Sequence, residues 1–281
     1  MLPFWLSIAV LSLVQGMLVA LAGRLELTWL ARLRTRGWAA VLPVSVLAFV
    51  LIARGAEKAS AQGLTYLALI AVPLLAALTL AVLMRGARPW LALLSPALFA
   101  LAWADRGGLA GEGAALALSG LSCVGLGVLI ASVTPPRWLS AGIVAMALAD
   151  SALVISDLLQ SPNNALNAAH PAANLPQLQS AVFGSAVMGY GDLFIAGVLG
   201  GLLAAGRRSR SEGALLTAAI AMAMDLLFFF VSELPATVPV ALALLVLLLR
   251  RRSAAGREPL APGPPAPTRA PARPGRQSPA R

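Results

Sequence analysis

The segment "SAVMGYGDLF", residues 185–194, holds one carboxylate, that of Asp192, inside an apolar run and directly after two glycines that flank a tyrosine. Hydrophobic residues make up 59% of the chain and charged residues 11%, and a soluble domain has no interior large enough to hide so much apolar surface. We therefore expect an all-α integral membrane protein with Asp192 inside the membrane. Insertion scales put the cost of such a residue at about 2.5 to 3.5 kcal/mol, so it indicates a functional site.

Nine apolar segments come close to the length of a membrane-crossing helix. A bilayer core about 30 Å thick takes roughly 20 helical residues, and the second, fourth and ninth segments are shorter than that. The first segment lacks a basic start and is followed by arginines, which favours a signal anchor over a cleaved leader. The predicted segments are residues 2–23, 38–53, 64–84, 90–104, 114–133, 138–159, 180–205, 213–231 and 234–249.

Charge alternates along the connections between these segments. The odd-numbered connections and the tail are rich in arginine, whereas the even-numbered ones are acidic, uncharged or only mildly basic. By the positive-inside rule the N-terminus lies outside and the C-terminus in the cytoplasm. The net charge of +10 resides in these connections and the tail, so it does not indicate nucleic-acid binding. Residues 250–281, rich in Pro, Ala and Arg, are predicted to form a disordered cytoplasmic tail.

The single cysteine and the single histidine do not suggest a redox or metal site. Cys123 lies in an apolar run without a partner cysteine, which excludes a disulfide within the chain and favours core packing. His170 lies in the loop 161–177 without companion ligands, so we expect it to be solvated. No cofactor and no metal are expected. The richness in Ala, Arg, Gly and Pro suggests a GC-rich genome, and hence a bacterial plasma membrane.

Three aspartates fall at a similar depth in the predicted membrane. At 1.5 Å per residue, Asp150 and Asp225 lie about 20 Å, and Asp192 about 22 Å, from the cytoplasmic ends of their segments. Asp157 comes out at about 30 Å, which makes it an interfacial residue. Depth alone does not decide which two carboxylates pair, but the glycines before Asp192 allow close approach of another backbone or a substrate.

The start of the ninth segment lies at the same depth. Counted outward from Arg250, Pro235 is about 22 Å along. Because residues 234–249 are too few to cross the bilayer comfortably, "SELPATVP" (232–239) is predicted to enter the membrane as non-helical chain, which protein or water must cover. Its two prolines lack N–H donors, and the carbonyls left uncovered could partly serve an extended substrate strand.

This pattern resembles the presenilin and signal peptide peptidase family of intramembrane aspartyl proteases. That family has nine spans, an aspartate in the sixth, Gly-x-Gly-Asp in the seventh and Pro-Ala-Leu at the ninth. The span count matches throughout, and the motif order matches over roughly the C-terminal half. The residues that carry the resemblance are Asp150 in "LADSALV", Gly189, Tyr190, Gly191 and Asp192 in "GYGDLF", and Pro235, Ala236 and Thr237 in "LPATVP".

The resemblance implies a presenilin-like fold and an aspartic endopeptidase with Asp150 and Asp192 as its catalytic pair. Residues 1–133 would form a five-helix scaffold and residues 134–249 the catalytic helices six to nine. The substrates would be transmembrane helices of membrane proteins or leftover signal peptides. The N-out, C-in orientation is similar to that of signal peptide peptidase rather than presenilin, which implies substrates of type II orientation.

Two positions depart from the family's pattern. Ala149 stands where the family usually has Tyr before its first aspartate, which leaves Asp157 open as an alternative to Asp150. Thr237 stands where the third motif has Leu, so the question whether a substrate docks here as a strand stays open. Asp225 also stays open as an alternative acid.

Three other functions fit parts of the sequence. A potassium-channel filter also contains Gly-Tyr-Gly, but the 14 residues 193–206 span only about 21 Å of a core about 30 Å thick, and Val187 replaces the filter threonine. Prepilin peptidases carry Gly-x-Gly-Asp but typically have a lysine where this chain has Phe194, and they lack the motif at the ninth segment. A proton-coupled transporter could use the same buried acids, although no internal repeat is evident.

Overall fold

A computed structural model describes residues 3–25, 30–55, 57–169, 171–172, 175–231 and 233–255. The chain is mostly helical, and its only sheet in these ranges is a two-stranded hairpin. His170 and residues 256–281 of the predicted tail lie outside the described ranges. The elements are α1 (Phe4–Leu21), α2 (Val41–Gly55), α3 (Glu57–Leu78), α4 (Leu94–Ala104), α5 (Leu109–Val133), α6 (Pro136–Ile155), α7 (Gln160–Ala168), β1 (Ser180–Phe183), β2 (Ala186–Gly189), α8 (Tyr190–Leu203), α9 (Arg207–Asp225) and α10 (Val238–Ala255).

Short 3₁₀-helical or π-helical segments extend several of these helices. Turns of 3₁₀ helix precede α2 at Arg36–Ala40 and α4 at Pro89–Leu93, and another follows α9 at Leu226–Phe229. A π-helical stretch, Thr79–Leu83, continues α3. With these extensions, the first six predicted segments each correspond to one helix of the structure.

Five helices in the described ranges are long and apolar enough to cross a membrane. They are Phe4–Leu21, Ala59–Leu83, Leu109–Val133, Pro136–Ile155 and Ser209–Phe229. Three shorter apolar helices accompany them: Arg36–Ile52, Pro89–Ala104 and Tyr190–Leu203. The fold is therefore that of a helical membrane protein, as the composition indicates.

The prediction of one continuous helix over residues 180–205 is wrong. Its first ten residues form the hairpin, with Ser180 paired to Gly189 and Phe183 to Ala186, and α8 begins only at Tyr190. The reason is the two-residue turn Gly184-Ser185, in which Gly184 has φ 61°, a conformation that glycine adopts without a steric penalty at the first position of a tight hairpin turn. Two further hydrogen bonds hold the turn, because the Gly184 N–H donates to Glu112 Oε2 at 2.7 Å and the Ser185 N–H to Ser7 Oγ at 3.2 Å.

The boundaries near the C-terminus also differ from the predicted ones. Helix α9 begins at Arg207, six residues before the predicted start, and takes in the basic stretch "RRSRSE". Residues 233–237 are not helical, as expected for "SELPATVP", but Val238 and Pro239 already belong to α10. Helix α10 continues to Ala255 and thus into the first residues of the predicted tail.

Helix α5 forms the centre of the first of two compact units, which takes in the described residues up to Leu247. It is the most buried of the five long helices, and it packs most extensively against α8, then against α4 and α3. Close approach depends on small residues, because a Cβ on Gly197 of α8 would overlap the Cys123 carbonyl of α5. Helix α1 packs against α8 and α9. These contacts fix α8, the helix that carries Asp192, between α5 and α1.

Candidate active site

One cavity of about 280 Å³ brings together several of the residues that the sequence singles out, among them Asp150, Asp192 and Asp225. Its volume is many times the roughly 30 Å³ that one water occupies in the liquid, so it can hold a water together with part of a peptide. The walls come from α1, α6, α7, both strands of the hairpin, α8, α9 with the 3₁₀ turn that follows it, and the segment that leads into the first turn of α10. The polar residues in the lining are Ser12, Gln15, Asp150, Asn163, Asn164, Asn167, Gln179, Ser180, Asp192, Asp225 and Glu233.

Asp150 reaches this cavity from the last third of α6 and is buried, with 9% of its surface exposed. Its Oδ2 accepts a hydrogen bond of 2.7 Å from the Thr237 hydroxyl, and the Thr237 backbone N–H donates to the same carboxylate. A buried carboxylate needs such donors, because burial without partners costs far more than the bonds themselves contribute.

Asp192 reaches the cavity from the first turn of α8. Gly189 caps this helix, and its backbone N–H donates to Asp192 Oδ2 at 3.1 Å. A carboxylate in the first helical turn is also favoured by the helix dipole. The Asp192 carboxylate lies close enough to that of Asp150 to be affected by its charge. The predicted pair, from the sixth and seventh segments, thus lines one cavity.

The other two residues of "GYGD" do not line the cavity. Tyr190 turns toward α5, where its hydroxyl lies 2.7 Å from Ser122 Oγ and its carbonyl accepts from the Cys123 thiol at 3.7 Å. A Cβ on Gly191 would meet Met146 Cε at an ordinary 3.6 Å. Gly189 does line the cavity, and a Cβ there would lie only 3.0 Å from Asp192 Oδ2. Its lack of a side chain therefore leaves room for the carboxylate.

Asp225 lines the same cavity from the end of α9. Its Oδ2 accepts a hydrogen bond of 2.7 Å from Ser12 on α1. Asp157, the other alternative, is exposed beyond the end of α6 with φ 56° and does not contribute to the described lining. Three of the four aspartates considered from the sequence therefore line one cavity, and Asp157 does not belong to its described lining.

Pro235 and Ala236 also line the cavity, but the carbonyls around them are already engaged. The Pro235 carbonyl accepts from the Val238 N–H at 3.1 Å, and the Thr237 carbonyl from the Ala241 N–H at 3.2 Å. The Ala236 carbonyl accepts from Gln15 Nε2 at 2.7 Å. The expectation of uncovered carbonyls at this motif is therefore wrong for these three residues, because α1 and the first turn of α10 supply their donors.

Gln15 of α1 is a site residue that the sequence reasoning missed. It is fully buried, and its Nε2 donates both to the Ala236 carbonyl and, at 3.2 Å, to the Asp192 carbonyl. One amide thus joins the two motif segments across the cavity wall. The available signal was a polar amide within an otherwise apolar first segment, since such residues are costly in a membrane and hydrogen-bond across helices.

Replacing Gln15 by Met is expected to lower the stability of the folded protein by about 1 kcal/mol, because two partly buried carbonyls lose a donor. The measurement is the thermal unfolding midpoint in detergent. The matched control is Leu13→Met on the same helix, whose side chain is 54% exposed, and this variant should unfold like wild type. Equal midpoints for Gln15→Met and Leu13→Met would show that the bridge contributes nothing.

The described part of the cavity lining contains four carboxylates and no lysine or arginine. No group of three or more His, Cys, Asp or Glu side chains in the described ranges is arranged to hold a metal ion. With neighbouring acids and no cation in the lining, full ionisation of the carboxylates is unfavourable, so they are suited to sharing protons.

Comparison of this chain with protein-family models, curated proteins and solved structures gives no match. The functional assignment therefore rests on the geometry of the cavity.

Proposed function

We propose that this protein is an intramembrane aspartyl protease that hydrolyses peptide bonds within transmembrane helices or leftover signal peptides. The observation that carries the proposal is that Asp150 of α6 and Asp192 of α8, far apart in sequence, line one cavity with their carboxylates in electrostatic range. Two carboxylates that share one proton supply an acid and a base together.

The chemistry needs only these two groups and a water. The ionised carboxylate takes a proton from the water as the water oxygen bonds to the scissile carbonyl carbon, while the protonated carboxyl transfers its proton to the carbonyl oxygen. The resulting gem-diol then breaks its C–N bond as the carboxyl that took the water proton gives it to the leaving amine and one hydroxyl of the gem-diol returns a proton to the other carboxylate. The products are a free carboxyl and a free amine. The substrate helix must unwind locally beforehand to expose its amide.

The membrane arrangement that belongs to this proposal has nine crossings, made by all helices except α7. The three shorter apolar helices and α10 would cross with the help of their flanking turns and loops. The N-terminus would face outward and the C-terminus the cytoplasm of a bacterial plasma membrane, because the arginine-rich connections then lie inside. This orientation suits substrates of type II topology.

The test is cleavage of a synthetic transmembrane peptide by the purified protein in lipid vesicles, followed by mass spectrometry. We expect Asp192→Ala to reduce the cleavage rate at least 100-fold, the lower range for a lost acid–base group. Cleavage that survives Asp192→Ala would rule the protease out. Loss of cleavage in Asp225→Ala but not in Asp150→Ala would make Asp225 the partner of Asp192.

The alternative functions give different results in the same vesicles. Potassium flux without cleavage would indicate a channel, and solute uptake driven by a proton gradient would indicate a transporter. Either result, with intact peptide throughout, would contradict the proposal.

A further inference from the structure

The two carboxylates of the pair differ in what surrounds them. Asp150 receives two donors from one residue, the hydroxyl of Thr237 at 2.7 Å and the Thr237 backbone N–H. Thr237 is itself 1% exposed, so water does not compete for its hydroxyl. Asp192 receives the Gly189 N–H at 3.1 Å, and the amide of Gln15 reaches its main-chain carbonyl rather than its carboxylate.

These donors favour one distribution of the shared proton. A backbone N–H can only donate, so it stabilises the carboxylate that has lost its proton, and hydrogen bonds to a charged group are stronger than neutral ones. Once Asp150 is ionised, its charge opposes ionisation of Asp192. Two donors on the Asp150 carboxylate against one on that of Asp192 therefore favour a pair whose shared proton resides on Asp192.

We propose that Thr237 is a positioning residue that makes Asp150 the general base and leaves Asp192 as the general acid. The inference rests on the proposed function and deepens it by giving each aspartate its role. It also gives a role to the residue at which this chain departs from the Pro-Ala-Leu pattern, since a leucine has no hydroxyl to donate.

The first measurement is the pH dependence of peptide cleavage. Thr237→Val keeps the shape of the side chain and removes the hydroxyl, so Asp150 takes up its proton more readily. We expect the acidic limb of the kcat profile to move to higher pH by about one to two units, the size expected for one hydrogen bond to a charged group, with KM nearly unchanged. Thr237→Ser should return the limb to its wild-type position, and Thr237→Ala provides a second hydroxyl-free variant.

The other titratable side chains in the described lining belong to neighbouring elements. They are Asp192 of α8, Asp225 of α9 and Glu233 before α10, whereas α1 and α7 contribute only hydroxyl, amide and apolar groups. Asp225→Asn in the Thr237→Val background therefore tests the origin of the shift. A shift that disappears in this double variant would assign it to Asp225 and contradict the proposal.

The second measurement does not depend on proteolysis. Infrared difference spectra of the intact protein follow the ionised carboxylate band that Asp150→Asn removes. We expect this band to vanish at a higher pH in Thr237→Val than in wild type and to recover in Thr237→Ser. If neither the carboxylate band nor the acidic limb of the kcat profile moves in Thr237→Val, the role of Thr237 is overturned. If the carboxylate band shifts but the protein cleaves no peptide, only the proposed protease function is overturned.

Discussion

Asp150→Asn is expected to reduce cleavage of a transmembrane peptide by about 100-fold to 10,000-fold, the range that acid–base catalysis contributes. Asparagine has the shape of aspartate and can still accept from the Thr237 hydroxyl through its side-chain oxygen, so the wall of the cavity stays in place. It cannot take a proton from water at neutral pH. The effect should therefore appear in kcat, measured in single-turnover experiments with excess enzyme, while binding of the peptide persists.

The control for this prediction is Asp157→Asn. Asp157 follows the same helix but is exposed and lies outside the described cavity lining, and asparagine tolerates its positive φ of 56° well. This variant should cleave at the wild-type rate. A rate unaffected by Asp150→Asn but lost in Asp157→Asn would exchange the roles of the two residues and contradict the geometry of the site.

Gly197→Leu is expected to prevent the protein from forming its native core. The backbones of α5 and α8 touch at this point, since a Cβ on Gly197 would overlap the Cys123 carbonyl and one on Gly127 would overlap Gly197 itself. Overpacking of a core costs about 1 to 3 kcal/mol where neighbours can shift, and here the neighbour is backbone. We expect a loss of at least about 3 kcal/mol, because α5 and α8 must separate along much of their contact.

The measurement for this second prediction is the thermal unfolding midpoint, together with the yield of monodisperse protein in detergent. Gly63→Leu is the matched control, because the Cβ of Gly63 on α3 would meet nothing within 4 Å. Gly63→Leu should behave as wild type. A Gly197→Leu protein with a normal yield and midpoint would show that the α5–α8 contact is looser than the structure has it.

The sequence predicts that three aspartates and the ninth-segment motif lie at one depth in the membrane, because depth follows from counting 1.5 Å per helical residue from the charged ends of each segment. The shared cavity around Asp150, Asp192, Asp225 and Pro235 agrees with that count. Depth alone could not predict which of the three would pair, because lateral position depends on the packing of α1, α5 and α8, and that packing depends on contacts between residues far apart in sequence.

The hairpin was missed because its residues are as apolar as a membrane helix. Over a window of about 20 residues, "SAVFGSAVMG" only extends the apolar run that follows it. The local signal was Gly184-Ser185 between two short runs of small and β-branched residues, a pattern typical of a two-residue hairpin turn. The hydrogen-bond partners of Thr237, Gln15 and Ser12 could not be predicted either, since each partner lies on an element far away in the sequence.

The hairpin leads directly into α8, and contacts fix both its tip and its last residue. Its tip is bound to Glu112 and Ser7, and its last residue, Gly189, is the cap of α8. Deleting one residue from β2 alone would reverse the faces of that strand and turn the start of α8 by about 100° around its axis. Deleting one residue from each strand would keep the pairing at the base. Loop-length variation at this place is therefore restricted to paired changes, although the loop itself lies outside the two motifs.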